Sequence, residues 1–251
     1  MPPGRPATPR DAYDAIIVGG GHNSLVTAAY LARAGLRPIV LERRERVGGA
    51  VETGELEPGV RIPTLAHTVG RLRPDVHRDL RLREYGLRLV QPDVRVFAPQ
   101  RDGRAVTLWG DPARTAQELH PWSSRDASAY PEFDGRVRAL GSFLARLLHL
   151  TPPDLQGPRL SDAVGGLQAG LGFRRLGRRE GRTLLRVLPM AVADFVAEAF
   201  ETDALRAAIA ARGIQYSALA PRSPGTTAVL LVDSAGNAGA PGQAVFARGG
   251  P

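Results

Sequence analysis

Three consecutive glycines, Gly19-Gly20-Gly21, separate a short β-branched run (Tyr-Asp-Ala-Ile-Ile-Val, residues 13 to 18) from a stretch with helical spacing, and Glu42 closes the next apolar run. Residues of these types in this order handle phosphate and ribose. Gly19 permits a tight turn. Gly21 lets the backbone approach a pyrophosphate that sits in the field of the unpaired N–H groups opening the helix. The third fingerprint position, where Gly or Ala lets helix and strand pack closely, carries Ser24. A carboxylate at Glu42 accepts hydrogen bonds from an adenosine ribose and repels a 2′-phosphate, which points to FAD or NAD and away from NADP.

A G-x-G-x-x-G pattern means little without the elements that hold it, and the sequence supplies them. Residues 13 to 18 form the first strand. Asn23 to Ala34 follows with Leu25, Ala28, Ala29 and Ala32 at helical spacing and Gly35 placed past the helix end, where a left-handed residue closes it. Leu36 to Leu41 is a second strand run, and both runs are expected to be buried, making one βαβ unit. Further on, Val94 to Ala98 and Ala105 to Trp109 flank an Asp102-Gly103 turn and predict a hairpin. Asp111-Pro112 predicts an N-cap and first helical residue for a helix to about His120. Ser123 with Asp126 resembles a capping box, with Pro131 expected to interrupt the helix behind it. Leu140, Phe143, Leu144, Leu147 and Leu148 share one helical face, read as core with a substrate tunnel or membrane contact as the alternative. Ser161 is a candidate cap after a Pro-rich connection, and Thr183 to Phe200 and Asp203 to Arg212 are read as helices.

The residues after Glu42 separate the dinucleotides. Glu42-Arg43-Arg44-Glu45-Arg46-Val47-Gly48-Gly49-Ala50 resembles the Glu-x-x-x-Arg-x-Gly-Gly continuation of the flavoprotein superfamily that contains amine oxidases and phytoene desaturases. Two adjacent glycines permit a second backbone approach to phosphates, and Arg46 offsets their charge. The alternative for Arg46 is an exposed, helix-flanking arginine. The segments Glu57-Pro58-Gly59, Ala66-His67, Asp111 to Thr115 and Pro221 to Thr226 are also similar to the phytoene desaturase-like FAD/NAD(P)-dependent oxidoreductases, in the branch around pyridine nucleotide-disulfide oxidoreductase domain-containing protein 2. The resemblance implies an α/β fold, a three-layer Rossmann-type FAD/NAD(P)-binding domain with an inserted, largely helical substrate-domain segment. It implies FAD as cofactor, held by Gly19, Gly20, Gly21, Ser24, Glu42, Arg43, Arg46, Gly48, Gly49 and Ala50, with the His67 segment near the flavin. The chain departs from the family pattern at Ser24, at Pro63 (where the family carries Asp) and at its end, which leads to the expectation of a C-terminal truncation.

Composition excludes several chemistries. The chain has no Cys, which removes thiolate nucleophiles, disulfide redox pairs and Cys-ligated metals. It has no Lys either, all 33 basic residues being Arg, so a Walker P-loop and Schiff-base catalysis are out. The five histidines lack metal-ligand spacing, and no metal is expected. There is no G-x-S-x-G elbow. The net charge of +8 is read as a coding preference for Arg, with nucleic acid or an anionic membrane as alternatives. Aromatic residues do not interleave with the arginines, so a nucleic-acid partner is not expected. Arg174, Arg175, Arg178, Arg179, Arg182 and Arg186 form the densest basic cluster, read as a solvated face with an anionic partner second. No run is long enough for a transmembrane helix, and the N-terminus lacks the apolar core of a signal peptide, so a cytoplasmic location with possible peripheral membrane contact is expected.

The expected organisation is a disordered leader at 1–11, an FAD-binding region with the hairpin at 12–110, a mostly helical substrate or cap region at 111–215 and a return segment at 216–251. The expected activity is hydride transfer from an apolar or amine-type small molecule to flavin. Such chemistry has no obligatory acid–base side chain, so no catalytic residue is assigned. The alternative is a catalytically incomplete dinucleotide-binding or interaction domain. Oligomeric state is not legible.

Overall fold

The computed structural model describes residues 12–66, 68–69, 72–154, 156–157, 160–235 and 245–250. The expected leader at 1–11, His67 and most of the Gly/Ala-rich tail fall outside the described residues. In chain order the elements are β1 (Ala15–Val18), α1 (His22–Arg33), β2 (Pro38–Leu41), β3 (Thr53–Glu57), β4 (Val60–Pro63), α2 (Pro74–Asp79), β5 (Leu89–Val90), β6 (Val94–Pro99) and β7 (Ala105–Trp109). There follow α3 (Pro112–Leu119), α4 (Ser124–Leu148), α5 (Leu160–Arg175), α6 (Gly177–Val187), α7 (Val192–Ala199), α8 (Asp203–Ala210), a 3₁₀ turn (Ala211–Ile214), α9 (Thr226–Ala235) and β8 (Phe246–Ala247). Among the described residues no helix is long and apolar enough to cross a membrane.

Two compact units result. The first comprises the chain up to Val90 together with Phe246–Pro251, and the second is Gln91–Val245. The expected boundaries lay at 110 and 215 instead. The hairpin β6–β7 falls within the second unit because Val106 and Leu108 join its core, and α9 does so because Leu230 and Leu231 are buried there.

In the first unit, β1 and β2 pair in parallel register, Ala15 opposite Pro38 through Val18 opposite Leu41. The Asp14 carboxylate accepts the Arg37 amide N–H at 2.7 Å and pins the start of the register. Gly35 adopts φ +86° just past α1, as its position predicted. The expectation of buried strands is corrected. Ile16 is 66% and Val18 83% exposed, while Ala15 and Ile17 are half-buried. Successive strand residues face opposite sides, and the one helix packed on this two-stranded sheet covers a single face. β3 and β4 form an antiparallel hairpin ending at Pro63, and β5 pairs with β8.

The second unit holds a continuous apolar core. Val106 and Leu108 of β7, Leu119 of α3, Tyr130, Phe133, Val137, Leu140 and Phe143 of α4, Phe195 and Val196 of α7, Phe200, Leu205 of α8 and Leu230 and Leu231 of α9 are all buried. Phe133 lies 4.8 Å from Phe200 and 5.2 Å from Phe195 between ring centres. The Asp102-Gly103 turn, the Asp111 cap on the Ala113 N–H and the Ser123 cap on the Asp126 N–H form as predicted. Pro131 does not interrupt α4, which continues through it to Leu148. A proline inside a helix costs about 3 kcal/mol, and the five large side chains that α4 buries offset it several-fold. Conversely, Thr183 to Phe200 is two helices, because Pro189 falls between α6 and α7. Asp126, 0% exposed, accepts the Glu201 and Thr202 amides at 2.9 and 2.8 Å and so clasps the turn before α8. Asp134 binds Arg95 at 2.7 Å and also Arg138, tying β6 to α4.

Candidate nucleotide site

The glycine loop is built by the strand that ends at Val18 and the helix that opens at His22. Gly19 turns the chain at φ +93°, a conformation that disfavours any side chain, and its N–H donates to the Leu41 carbonyl at 2.7 Å. Gly20 is buried, and a Cβ there would lie 2.8 Å from Val47 Cγ1. Gly21 is different. Its φ is −70°, open to any residue, and a Cβ there would meet no atom within 4 Å. Neither strain nor packing within the chain requires glycine at this position.

Gly21 is also the N-cap of α1, where a Ser, Thr, Asp or Asn would satisfy an opening N–H. No side chain does so, and the first turn holds no acidic residue. The first intrahelical bond runs from the Leu25 N–H to the Gly21 carbonyl at 2.9 Å. The His22, Asn23 and Ser24 amides precede it, at the positive end of the helix.

The second pair of glycines packs against the first. Gly48 pairs with Gly21 in a parallel bridge, and its N–H donates to the Gly20 carbonyl at 2.7 Å. A Cβ on Gly49 would come within 3.0 Å of the Gly21 Cα, and Gly48 and Gly49 both have positive φ. Glu42 joins the two segments. One carboxylate oxygen accepts the Gly20 N–H at 2.6 Å and the other the Arg44 N–H at 2.9 Å. These Arg44 and Gly20 amides hold the Glu42 carboxyl below the usual range, so it is ionised at neutral pH. A carboxylate has about four lone-pair positions, so two amides do not exhaust it.

Of the residues singled out from sequence, Gly19, Gly20, Gly21, Glu42, Gly48 and Gly49 therefore converge. Ser24 lies half-buried in the first turn of α1. Arg43, Arg46 and Ala50 are exposed and make no side-chain bond to the glycines. The Ala50 carbonyl accepts the Ala66 N–H at 3.1 Å. Arg46 flanks no helix, because residues 43 to 46 are a series of bends. Sequence reading missed the Glu42 clasp and the Gly21–Gly48 bridge. Its signal was the Gly48-Gly49 pair, since both take positive φ and a Cβ on Gly49 would press on the Gly21 backbone. Among the described residues no cluster of His, Asp and Glu could hold a metal.

Residues 17–81 match the NAD(P)-binding Rossmann-like domain model. This region has a Rossmann-like nucleotide-binding fold. Beyond it, the chain is 31% identical over 233 residues to pyridine nucleotide-disulfide oxidoreductase domain-containing protein 2 of Rattus norvegicus, a match covering 87% of this chain and 40% of that protein. A flavin-containing amine oxidase of Danio rerio is 51% identical over 43 residues, 17% of this chain and 8% of that one. Cyclohexylamine oxidase from Brevibacterium oxydans has a similar fold, with a TM-score of 0.50 at 17% identity, covering 95% of this chain and 46% of that one. The Rossmann-like region thus sits in a chain similar over most of its length to pyridine nucleotide-disulfide oxidoreductase domain-containing protein 2, and the chain spans about 40% of the length of these mammalian relatives.

Proposed function

We propose that this chain binds FAD and takes part in a phytoene desaturase-like oxidation, with hydride leaving an apolar or amine-type substrate. The observation that carries this reading is Gly21, a glycine with ordinary φ and open space at its Cβ, placed on an uncapped helix N-terminus. That combination has no purpose within the chain and suits a pyrophosphate. In this reading the His22, Asn23 and Ser24 amides receive the phosphates, Gly48 and Gly49 keep the second approach free of side chains, and ionised Glu42 accepts from the ribose. Arg43 and Arg46, exposed on the bends that follow, lower the cost of gathering negative charge. The chemistry FAD supplies when bound is hydride acceptance. The flavin-containing relative supports FAD over NAD.

The test is the visible spectrum of the purified protein and quenching of flavin fluorescence on titration. Protein that stays colourless and leaves the fluorescence unchanged overturns the proposal.

A second reading, binding without turnover, draws on the exposed apolar side chains of β1, which leave the nucleotide region uncovered on one face. Reduction of bound FAD by an amine or apolar substrate rules it out.

A further inference from the structure

Helix α5 reverses the usual arrangement of a helix on a globular surface. Its large aliphatic residues, Leu160, Val164, Leu167 and Leu171, fall at i, i+4, i+7 and i+11, one continuous stripe. All four are exposed, at 88%, 54%, 63% and 47%. The opposite side of the helix carries Asp162, Gly165, Ala169, Gly172 and Phe173, and this small-residue side turns inward. There Phe173 stacks edge-on against Phe143 at 6.0 Å, and a Cβ on Gly172 would touch the same ring at 3.3 Å. Packing on α4 and α6 therefore uses Phe173 and Gly172 and leaves the leucines outside. The α4 face, read from sequence as core with a membrane contact as the alternative, is largely core, with Leu140 and Phe143 buried. The uncovered apolar face belongs to α5.

Charge decides what suits this face. Arg174 and Arg175 end the helix on the same side as the stripe, and Arg178 and Arg182 follow in α6. All four are exposed and make no ion pair among the described residues, unlike Arg179, which binds Glu132, and Arg186, which binds Glu198. The single acid of α5, Asp162, lies on the inward side. An aliphatic stripe bordered by unpaired arginines and free of acids is the pattern of a helix that lies in a lipid interface, its apolar face among acyl chains and its guanidinium groups at anionic headgroups. A cleft of about 700 Å³ between α4 and α5, lined in part by Phe143, Leu147 and Leu150, shares Leu171 and Arg175 with this face.

We propose that the outward face of α5 docks the protein on an anionic lipid surface, lying in the interface without spanning it. This inference is independent of flavin binding, and its readout involves no flavin. The test is co-sedimentation of the full chain with vesicles of phosphatidylcholine alone and of phosphatidylcholine with phosphatidylglycerol at 3:1. Binding to the anionic vesicles is expected, weaker on the neutral ones and falling with salt. Leu167→Glu with Leu171→Glu lowers it at least about tenfold, and Arg174→Gln with Arg175→Gln lowers it roughly tenfold or more on the anionic vesicles. The four side chains are exposed, and far-UV circular dichroism confirms that each variant keeps its helices. No sedimentation with anionic vesicles overturns the proposal, as does sedimentation that the leucine pair does not affect. A dimer in light scattering that Leu167→Glu with Leu171→Glu dissociates, without vesicle binding, also overturns it and makes the face a contact between copies.

Discussion

The two units solve different problems. In residues 91–245 large apolar side chains from six helices and a hairpin converge on one core. In the unit that carries the glycine loop, Gly20 is the only buried residue among those described. Its candidate nucleotide site is held by backbone hydrogen bonds, glycine conformations and one carboxylate, and these need alignment more than burial. The difference teaches that the binding chemistry and the stability of this chain reside in separate residues, so each can be removed with little direct effect on the other's contacts.

The largest expected effect is on the core. Phe200→Ala removes a fully buried ring between Tyr130 and Phe133 and should cost about 3–5 kcal/mol. Urea unfolding followed by circular dichroism checks it; a loss below about 1 kcal/mol would contradict the packing described. Next comes the loop. Gly21→Glu meets open space, so the helices should melt as in the parent protein, while FAD affinity falls about a hundredfold or more because a carboxylate faces the phosphates. Loss of FAD binding together with loss of fold would break the separation of the two units.

Asp126→Ala leaves the Glu201 and Thr202 amides without their acceptor and should destabilise the second unit by about 2 kcal/mol. Burial pushes this carboxyl up, but the bonds accepted from Thr202 and Glu201 outweigh it and hold it below its ordinary value. A depressed folded-state value means that the stabilisation is complete above the unfolded carboxyl's value, about 3.9. It is then lost as pH falls through the folded one. Acid unfolding of Asp126→Asn should accordingly show a shallower pH dependence below pH 4. The smallest effect expected is at Glu42. Glu42→Gln can no longer present two charged acceptors to Gly20 and Arg44, and FAD binding, read by fluorescence, should weaken about tenfold.

Features legible in the sequence are those decided within a few residues. Gly35 and Gly103 take positive φ where the patterns of helix end and turn required it. Asp111 and Ser123 cap because their oxygens reach N–H groups two or three residues on. The glycines of the site were legible for the same reason, since a missing side chain is itself a local fact. The Glu42 clasp was not legible, because the residue's type and place pointed to ribose, while its reach to the Gly20 N–H, 22 residues away, is set by the fold.

What the sequence alone determined, then, is the βαβ unit and its glycine loop. Tertiary structure decided burial. It left β1 exposed on one face, carried α4 through Pro131, drew Asp126 onto the turn before α8 and set α5 on Phe173 and Gly172 with its leucines outward. The physical reason is range. Turns, caps and backbone conformation depend on neighbours a few bonds away, whereas the worth of an apolar side chain depends on which distant segment removes it from water.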